Sequence, residues 1–229
     1  MTIVMYDLAG AGDRRFSPFC WRTRMALAHK GLDAEARPTR FREITEICGG
    51  VSRTVPVLDD DGTVVSDSWD IAEYLEKTYP DRPSLFGGAA GHGLSRFVQN
   101  WVAAVVHMGL IGMVVQDIHD HVDEGDRAYF RSDRERRFGK TLEEMQAGRE
   151  QRLEGFRRSL HPLRLTLKAQ PFLGGEAPLY ADYIAFGAFQ WARTISDFRV
   201  VGEDDPVWHW LERCRDLHGG LARAALTHY

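Results

Sequence analysis

The pattern of apolar and polar residues divides the chain into a first part with short strands and a second part with long helices. Short apolar or alternating runs predict strands in the first part, at residues 2–6, 34–38, 55–58 and 63–65. The last two runs predict a hairpin, because Asp60-Asp61-Gly62 between them favours a tight turn. The polar run of residues 40–54 is not assigned, since Gly49-Gly50 would break a helix within it.

Two helices are predicted between these strands and after them. Ser17 is a good N-cap and Pro18 suits the first helical position, so a helix is predicted from Pro18 to Lys30, with Gly31 ending it in a left-handed conformation. Asp67 or Ser68 caps a second helix that ends before Pro80. The resulting order, β-α-β-(α)-β-β-α, is typical of a small α/β domain with a mixed sheet.

Helical periodicity alone governs the remainder of the chain. Pro80-Asp81-Arg82-Pro83-Ser84 favours a domain boundary, so we predict an α/β domain at residues 1–82 and an all-α domain at residues 83–229. Residues 123–137 carry ten charges, five of each sign, which predicts a solvated loop or helix face. Helices are predicted at residues 94–121, where apolar positions 97, 101, 105 and 108 recur at helical spacing, and at 141–169, 180–195 and 206–218.

Composition narrows the class of protein. With 29 Lys and Arg against 33 Asp and Glu, the chain has no basic excess to attract nucleic acid. Three scattered cysteines argue against a disulfide framework and for a reducing compartment. The N-terminus lacks the pattern of a signal peptide, and the apolar segment 101–115 is too short to span a bilayer and predicts a core helix. We therefore expect a soluble, cytoplasmic protein.

The start of the first helix is the first candidate for chemistry. A helix N-terminus presents unpaired N–H groups and a partial positive charge, which stabilise an anion such as a thiolate. The Ser17 hydroxyl could accept a hydrogen bond from the first turn and still donate its own proton to a bound sulfur. For the Ser-Pro pair alone, helix capping explains the residues equally well. His119, Asp120 and His121 do not share a helix face, so we predict no metal site there.

Four motifs in order along the chain resemble the cytosolic glutathione transferases. They are Ser17-Pro18-Phe19-Cys20 with Arg22-Thr23-Arg24 and Lys30-Gly31, Val55-Pro56, Asp67-Ser68, and Phe172-Leu173-Gly174-Gly175 with Ala181-Asp182. The resemblance implies a thioredoxin-like N-terminal domain, an all-α C-terminal domain, glutathione as co-substrate and a cis Val55–Pro56 bond. The family pattern usually has Ser or Thr at the position of Leu179, so that helix cap is expected to be made differently.

A closer resemblance is to the bacterial β-etherases of lignin breakdown and to the related fungal FuA class. It rests on Trp21-Arg22-Thr23, Ala28-His29-Lys30-Gly31, Asp67-Ser68-Trp69 with Ile71 to Leu75, Tyr79 to Pro83, and Gln146 to Glu150. One departure is that those etherases carry a C-terminal extension beyond the position that matches Tyr229.

The resemblance also implies roles for single residues. Ser17 would hold the glutathione sulfur as the thiolate nucleophile, with Tyr6 as a rival activator. Val55, beside Pro56, would pair its backbone with the cysteinyl part. Asp67 and Ser68 would bind the γ-glutamyl end, and Arg42, or its rival Arg53, the glycine carboxylate. Cys20 occupies the second position of a C-x-x-C pattern whose first position is serine, which predicts a small core residue.

The expected activity is transfer of glutathione to an electrophilic, aromatic substrate, with β-aryl ether cleavage as the specific possibility. Phe16, Phe19, Met108 and Trp191 are predicted to line the substrate pocket between the domains, and His107 to lie in the core or in that cleft. The alternatives are a glutathione-dependent isomerase or reductase, and a non-catalytic ligand-binding protein of the same fold. The resemblance implies a homodimer.

Overall fold

A computed structural model describes residues 2–229, so Met1, where the first predicted domain begins, lies outside the described residues. The strands are β1 (Ile3–Leu8), β2 (Ala34–Thr39), β3 (Val57–Asp60) and β4 (Thr63–Ser66), and the helices between and after them are α1 (Pro18–His29) and α2 (Ser68–Thr78). A 3₁₀ helix, Phe41–Gly49, occupies the segment that the sequence left unassigned. The predicted order of elements is confirmed.

The four strands form one mixed sheet. Their order is β2-β1-β3-β4, with β1 parallel to β2 and antiparallel to β3, and with β3 and β4 forming the predicted hairpin. Met5 at the centre of β1 lies opposite Ala36 and Leu58, and both Met5 and Leu58 are buried. The sheet thereby fixes the position of the loop that leads from β1 into α1.

Within the described residues, every strand of this sheet precedes residue 67, and the chain beyond it is helical. The helices are α3 (Ala89–Trp101), a π-helical segment (Val102–His107), α4 (Met108–His121), α5 (Arg127–Phe138), α6 (Leu142–Gln146), α7 (Arg149–Ser159), α8 (His161–Ala169), α9 (Tyr180–Ile195) and α10 (Pro206–Gly220). The helix at 180–195 has the predicted bounds, and the regular part of α10 ends before residue 217, close to the predicted stop.

The prediction of one helix over residues 141–169 is wrong. Gly148 has a left-handed backbone (φ 69°) and separates α6 from α7, and the chain breaks again at Leu160 before α8. Pro162 lies in the first turn of α8, where its missing N–H is not needed. The apolar spacing was nevertheless informative, because Phe156, Leu160 and Leu163 are all buried.

Helices α3 and α4 join through the π-helical segment into one helix over residues 89–121, longer than predicted. By length and composition alone this helix could cross a membrane, a test that the core helix of a soluble protein also passes. Val102, Val106 and Leu110 are fully buried, which fits the predicted core helix. The apolar stripe at 97–108 is not its buried face, because Phe97 and Met108 are 69% and 57% exposed.

Helix α9 is the centre of the molecule. All of its residues are buried, and it packs against α1 of the first domain. Gly187 permits this contact, since a Cβ there would lie only 2.4 Å from the Pro18 carbonyl oxygen. The start of α1 is therefore held directly against the core of the helical domain.

The cap of α9 is made differently from the family pattern, as the sequence predicts. Leu179 supplies no side-chain acceptor, and the buried carboxylate of Asp182 instead accepts the Leu179 N–H at 3.0 Å. The same carboxylate accepts hydrogen bonds from the Leu173 N–H (2.7 Å), the Gly174 N–H (2.9 Å) and the Trp210 indole N–H (2.9 Å). Asp182 thus ties the loop before α9 to α10.

A hydrogen-bonded chain of two histidines and a tyrosine joins the two domains. His29 donates through Nε2 to the Ser84 carbonyl (3.1 Å), so its Nδ1 accepts the Tyr183 hydroxyl proton (2.7 Å). His218 then donates from Nε2 to the Tyr183 oxygen (3.0 Å). Burial lowers the pKa of both imidazoles, that of His218 to about 4.

We expect this hydrogen-bonded chain of side chains to make the protein less stable in mild acid. Because the folded pKa of His218 lies below its unfolded value, the unfolded state binds the extra proton as pH falls below about 6.5 and is favoured. We expect the free energy of unfolding to fall between pH 7.5 and 5.5, measured by urea unfolding. His218→Asn suits the left-handed backbone there (φ 53°) and keeps an N–H donor, so its stability should change less with pH. The same pH dependence in both proteins would contradict this assignment.

Candidate active site

Ser17 caps α1 and lies at the floor of a cleft. Its backbone is extended (φ −61°, ψ 123°), and its Oγ accepts the Cys20 N–H at 3.2 Å. Only 4% of the residue is exposed, yet it lines the cleft together with Phe16 and Pro18. The hydroxyl proton is not used by this cap, so it can be donated to an atom bound in the cleft.

A second helix begins at the same cleft. Asp67 caps α2 from a left-handed backbone (φ 75°) and accepts the Trp69 N–H at 2.7 Å. Ser68, the first residue of α2, is buried, and its carbonyl accepts the Tyr180 hydroxyl at 2.5 Å. Two helix N-termini therefore add positive potential to one cavity.

The chain beside these helix starts presents its backbone to the cleft. Val55 and Pro56 line it, and the peptide bond between them is cis. Val55 lies two residues before β3, and its main-chain groups pair with no other strand of the described sheet. An extended ligand can pair with such groups as an added strand does.

A buried arginine adds to this potential. Arg22 is 2% exposed, its guanidinium lies 4.7 Å from the centre of the Phe19 ring, and it forms no ion pair among residues 2–229. Burial lowers its pKa to about 10, while the negative charge of Asp67 favours its charged form. The guanidinium is thus still protonated at neutral pH. The sequence marked Arg22 only as part of a motif, and no local signal showed that it would be buried without a carboxylate.

The cleft has a volume of about 550 Å³ and mostly apolar walls. All four predicted wall residues line it: Phe16, Phe19, Met108 and Trp191. Sequence reasoning missed the other side of the cleft, which comes from the 3₁₀ helix and from α4 and α5. These additional lining residues are Phe41, Ile44, Ile111, Ile118, Tyr129, Phe130, Asp133, Arg134, Arg137 and Phe138.

The two candidate arginines for the glycine carboxylate are placed differently. Arg42, the first choice, does not line the cleft, because its guanidinium pairs with Asp123 at 2.9 Å and lies 3.7 Å from Asp126. Arg53 lines the cleft next to Val55 and makes no ion pair within the described chain. The geometry therefore favours Arg53 over Arg42.

The position of Arg42 has a structural cause that the sequence did not reveal. The buried Asp126 of the helical domain accepts the backbone N–H groups of Phe41 (2.9 Å) and Arg42 (3.2 Å). This carboxylate caps the 3₁₀ helix from the other domain and fixes the wall that carries Phe41 and Ile44.

His107 lies in the cleft rather than in the closed core. Its ring stands edge-to-face against Phe19 (5.4 Å between centroids) and Trp191 (5.9 Å). Burial, with a smaller effect of the Arg22 charge, lowers its pKa to about 3. The imidazole is neutral at physiological pH, and its Nε2 has no hydrogen-bond partner within residues 2–229.

Two alternatives from the sequence are placed away from the cleft. The Tyr6 hydroxyl accepts a hydrogen bond from Arg37 at 3.3 Å, and Tyr6 does not line the cavity. Cys20 is buried in the core, and burial raises the pKa of its thiol well above the usual value. The prediction that Cys20 is a small core residue is confirmed.

The histidines at the end of α4 are used within the fold. His121 donates from Nδ1 to the Asp117 carbonyl (2.7 Å) and lies 3.2 Å from His228, whereas His119 lies beside Asp120. Across residues 2–229, no group of three or more His, Cys, Asp or Glu side chains is placed to hold a metal ion.

Comparison with known proteins shows the family to which the chain belongs. The model of the glutathione S-transferase N-terminal domain matches residues 16–78, and that of the C-terminal domain matches residues 93–226. The chain therefore belongs to the glutathione S-transferase family, whose co-substrate is glutathione. The predicted fold, a thioredoxin-like domain followed by an all-α domain, is confirmed.

Its relatives include fungal proteins. A glutathione S-transferase-like protein of Aspergillus flavus, ustS, is 25% identical over 83% of each chain. The crystal structures of GSTFuA3 and GSTFuA2 from Phanerochaete chrysosporium are 28% and 29% identical, both with a TM-score of 0.77. They cover 96% of this chain, which covers 92% and 94% of theirs. The predicted similarity to the FuA class is confirmed.

Proposed function

We propose that this protein transfers glutathione to aromatic electrophiles, with Ser17 stabilising the glutathione thiolate. The observation that carries the proposal is the position of the Ser17 hydroxyl. It lies at the N-terminus of α1, nearly buried, and opens into a cleft with aromatic walls. A donor and a helix N-terminus that meet at one atom favour an anion there, which lowers the pKa of a bound thiol.

Glutathione would lie along the first domain. Its cysteinyl backbone pairs with Val55, its α-amine approaches the Asp67 carboxylate, and its γ-glutamyl carboxylate approaches the N–H groups at Ser68. Arg53 binds the glycine carboxylate. This arrangement places the sulfur near Ser17, with the aromatic walls beyond it.

The reaction is a nucleophilic displacement. The thiolate sulfur forms a bond to the electrophilic carbon, and the bond from that carbon to its leaving group breaks with the electron pair leaving. In a β-aryl ether ketone the leaving group is an aryloxide, which takes a proton and departs as a phenol. The large, mostly apolar cleft, with seven aromatic side chains in its lining, supports an aryl substrate of this kind.

The test is product analysis with glutathione and a β-aryl ether ketone, with 1-chloro-2,4-dinitrobenzene as a general electrophile. We expect a glutathione thioether and released phenol in equal amounts. Thioether formed from 1-chloro-2,4-dinitrobenzene but not from the ether would restrict the proposal to electrophiles other than β-aryl ethers. Binding of glutathione without any thioether would favour a ligand-binding protein, and an isomerised product without consumption of glutathione would favour an isomerase.

We expect Arg53→Gln to raise KM for glutathione about fivefold to tenfold, because one charge-assisted hydrogen bond in a partly exposed site is lost. Arg42→Gln is the matched control, with the same change of charge in a residue paired to Asp123. Its KM for glutathione should stay within twofold of wild type. A larger effect of Arg42→Gln than of Arg53→Gln would reverse the assignment.

The family resemblance also leads us to propose a homodimer. Leu94 and Phe97 leave an apolar strip of α3 at the surface, 67% and 69% exposed. An exposed apolar surface of this kind favours burial against a second copy. Sedimentation of wild type and of Phe97→Glu would test this, since the charge should shift a dimer toward monomer.

A further inference from the structure

Helix α5 brings a positive charge into the cleft that the binding of glutathione does not use. The lining contains three arginines, Arg53, Arg134 and Arg137, and two aspartates, Asp67 and Asp133. The cleft therefore has an excess of one positive charge, whereas the whole chain has a net charge of −4. A local field opposite in sign to that of the molecule attracts an anion specifically to this cavity.

Some of the charged side chains in this lining are already neutralised by other residues of the protein, and others are not. Asp133 is held by Arg134 and, at 2.9 Å, by Arg136, so this carboxylate and Arg134 compensate each other. Under the function proposed above, Arg53 serves the glycine carboxylate of glutathione and Asp67 its amine. Arg137 remains, and within residues 2–229 its guanidinium forms neither an ion pair nor a hydrogen bond.

The surroundings of Arg137 indicate the chemistry of its ligand. Its guanidinium lies 5.5 Å from the centre of the Phe138 ring, and Phe138 lines the same cleft. Tyr129 and Phe130, from the first turn of the same helix, add two more aromatic walls. A planar guanidinium with five donors matches a carboxylate in two parallel hydrogen bonds, and the adjacent rings match an aryl group.

We propose that Arg137 binds a carboxylate of the electrophile, so that the preferred substrates are aromatic electrophiles carrying an anionic group away from the reacting carbon. This inference rests on the function proposed above and names its substrate class. A second explanation for Arg137, stabilisation of the C-terminus of α5, applies equally to its neighbour Arg136. The two arginines therefore form a matched pair for a test.

The test compares two electrophiles of the same size, 4-chloro-3,5-dinitrobenzoate and 4-chloro-3,5-dinitrobenzamide. In both, the glutathione sulfur bonds to the ring carbon that carries chlorine, and chloride leaves with the bonding electrons. Each kcat/KM is divided by the rate constant for free glutathione, which removes the difference in intrinsic reactivity. We expect wild type to prefer the benzoate by about tenfold on this corrected scale, as one charge-assisted contact would give.

We expect Arg137→Gln to lose this preference by lowering kcat/KM for the benzoate while leaving that for the amide within twofold. Arg136→Gln removes the same charge from the same helix turn outside the cleft, and because Arg134 still holds Asp133 it should change neither value. No preference in wild type, or an equal loss for both substrates in Arg137→Gln, would overturn the inference. A higher KM for glutathione with both electrophiles in Arg137→Gln would also overturn it, because the arginine would then serve glutathione.

If wild type converts neither electrophile, the proposed transfer fails for this class, and direct binding decides the inference separately. Calorimetry with 3,5-dinitrobenzoate and 3,5-dinitrobenzamide should then show tighter binding of the acid to wild type and equal binding to Arg137→Gln. Equal affinities in wild type would overturn the inference.

Discussion

Replacing Ser17 with alanine should lower kcat/KM for glutathione transfer by about 100-fold to 1,000-fold near neutral pH, the size of effect seen when one donor to a reactive anion is removed. The Ser17 hydroxyl is a hydrogen-bond donor in the cleft at the start of α1. Its loss should therefore raise the pKa of the bound thiol. The defect should shrink as pH rises, because the thiol then ionises without help. Initial rates at several pH values measure both effects.

Two controls separate catalysis from folding. Alanine also removes the cap on the Cys20 N–H, which costs about 1 kcal/mol of stability. Ser17→Thr keeps both the cap and a hydroxyl donor, so it should retain far more activity than the alanine variant. Equal losses in the two variants, or a defect that does not change with pH, would contradict the proposed role.

Replacing Asp182 with alanine should have the largest effect on stability, lowering the free energy of unfolding by about 3–5 kcal/mol. Its carboxylate accepts four hydrogen bonds, from three backbone N–H groups and the Trp210 indole, and is fully buried. Alanine leaves all four donors without a partner. Urea unfolding followed by far-UV circular dichroism measures the change.

Asp204 provides a control for this prediction, since it is an exposed aspartate on the loop before α10. Asp204→Ala should change the free energy of unfolding by no more than about 0.5 kcal/mol. A loss below 1 kcal/mol for Asp182→Ala would show that the four hydrogen bonds do not hold the loop.

Local signals in the sequence predicted much of the fold and the centre of the site. Ser17, Pro18 and Gly31 bound the first helix by their backbone preferences, and the structure places α1 between them. The turn at Asp60-Asp61-Gly62 positioned the hairpin for the same reason. These features depend on residues next to one another, so they can be predicted without knowledge of the fold.

Features that depend on distant partners were not predictable in this way. The run at 123–137 has the composition of a solvated surface, yet Asp126 is fully buried because it caps backbone groups more than eighty positions earlier. The charged composition also gave no indication that α5 forms a wall of the cleft, because only one side of this helix faces the cavity. The aromatic pair Tyr129-Phe130 within the charged run was the available signal.

Arg42 illustrates the same limit. An arginine near the site in sequence was a reasonable choice for the glycine carboxylate, but Asp123 of the other domain attracts its side chain. Gly148 was a local signal of a helix break. The apolar periodicity of residues 141–169 was given more weight, and the break was missed. Over residues 141–169 the periodicity identified the buried face, but it did not show whether the helix is continuous.

The proposed transfer requires that the start of α1 holds glutathione as its thiolate. The most direct test is the ultraviolet absorbance of the thiolate, titrated with pH as a difference between protein with and without glutathione. The subtraction removes the absorbance of the protein's own thiols. Burial raises the pKa of two of these thiols, Cys20 and Cys214, well above the usual value. We predict that the bound thiol ionises well below the pKa of free glutathione in wild type and close to it in Ser17→Ala. An unshifted thiol in wild type, with glutathione bound, would contradict the account.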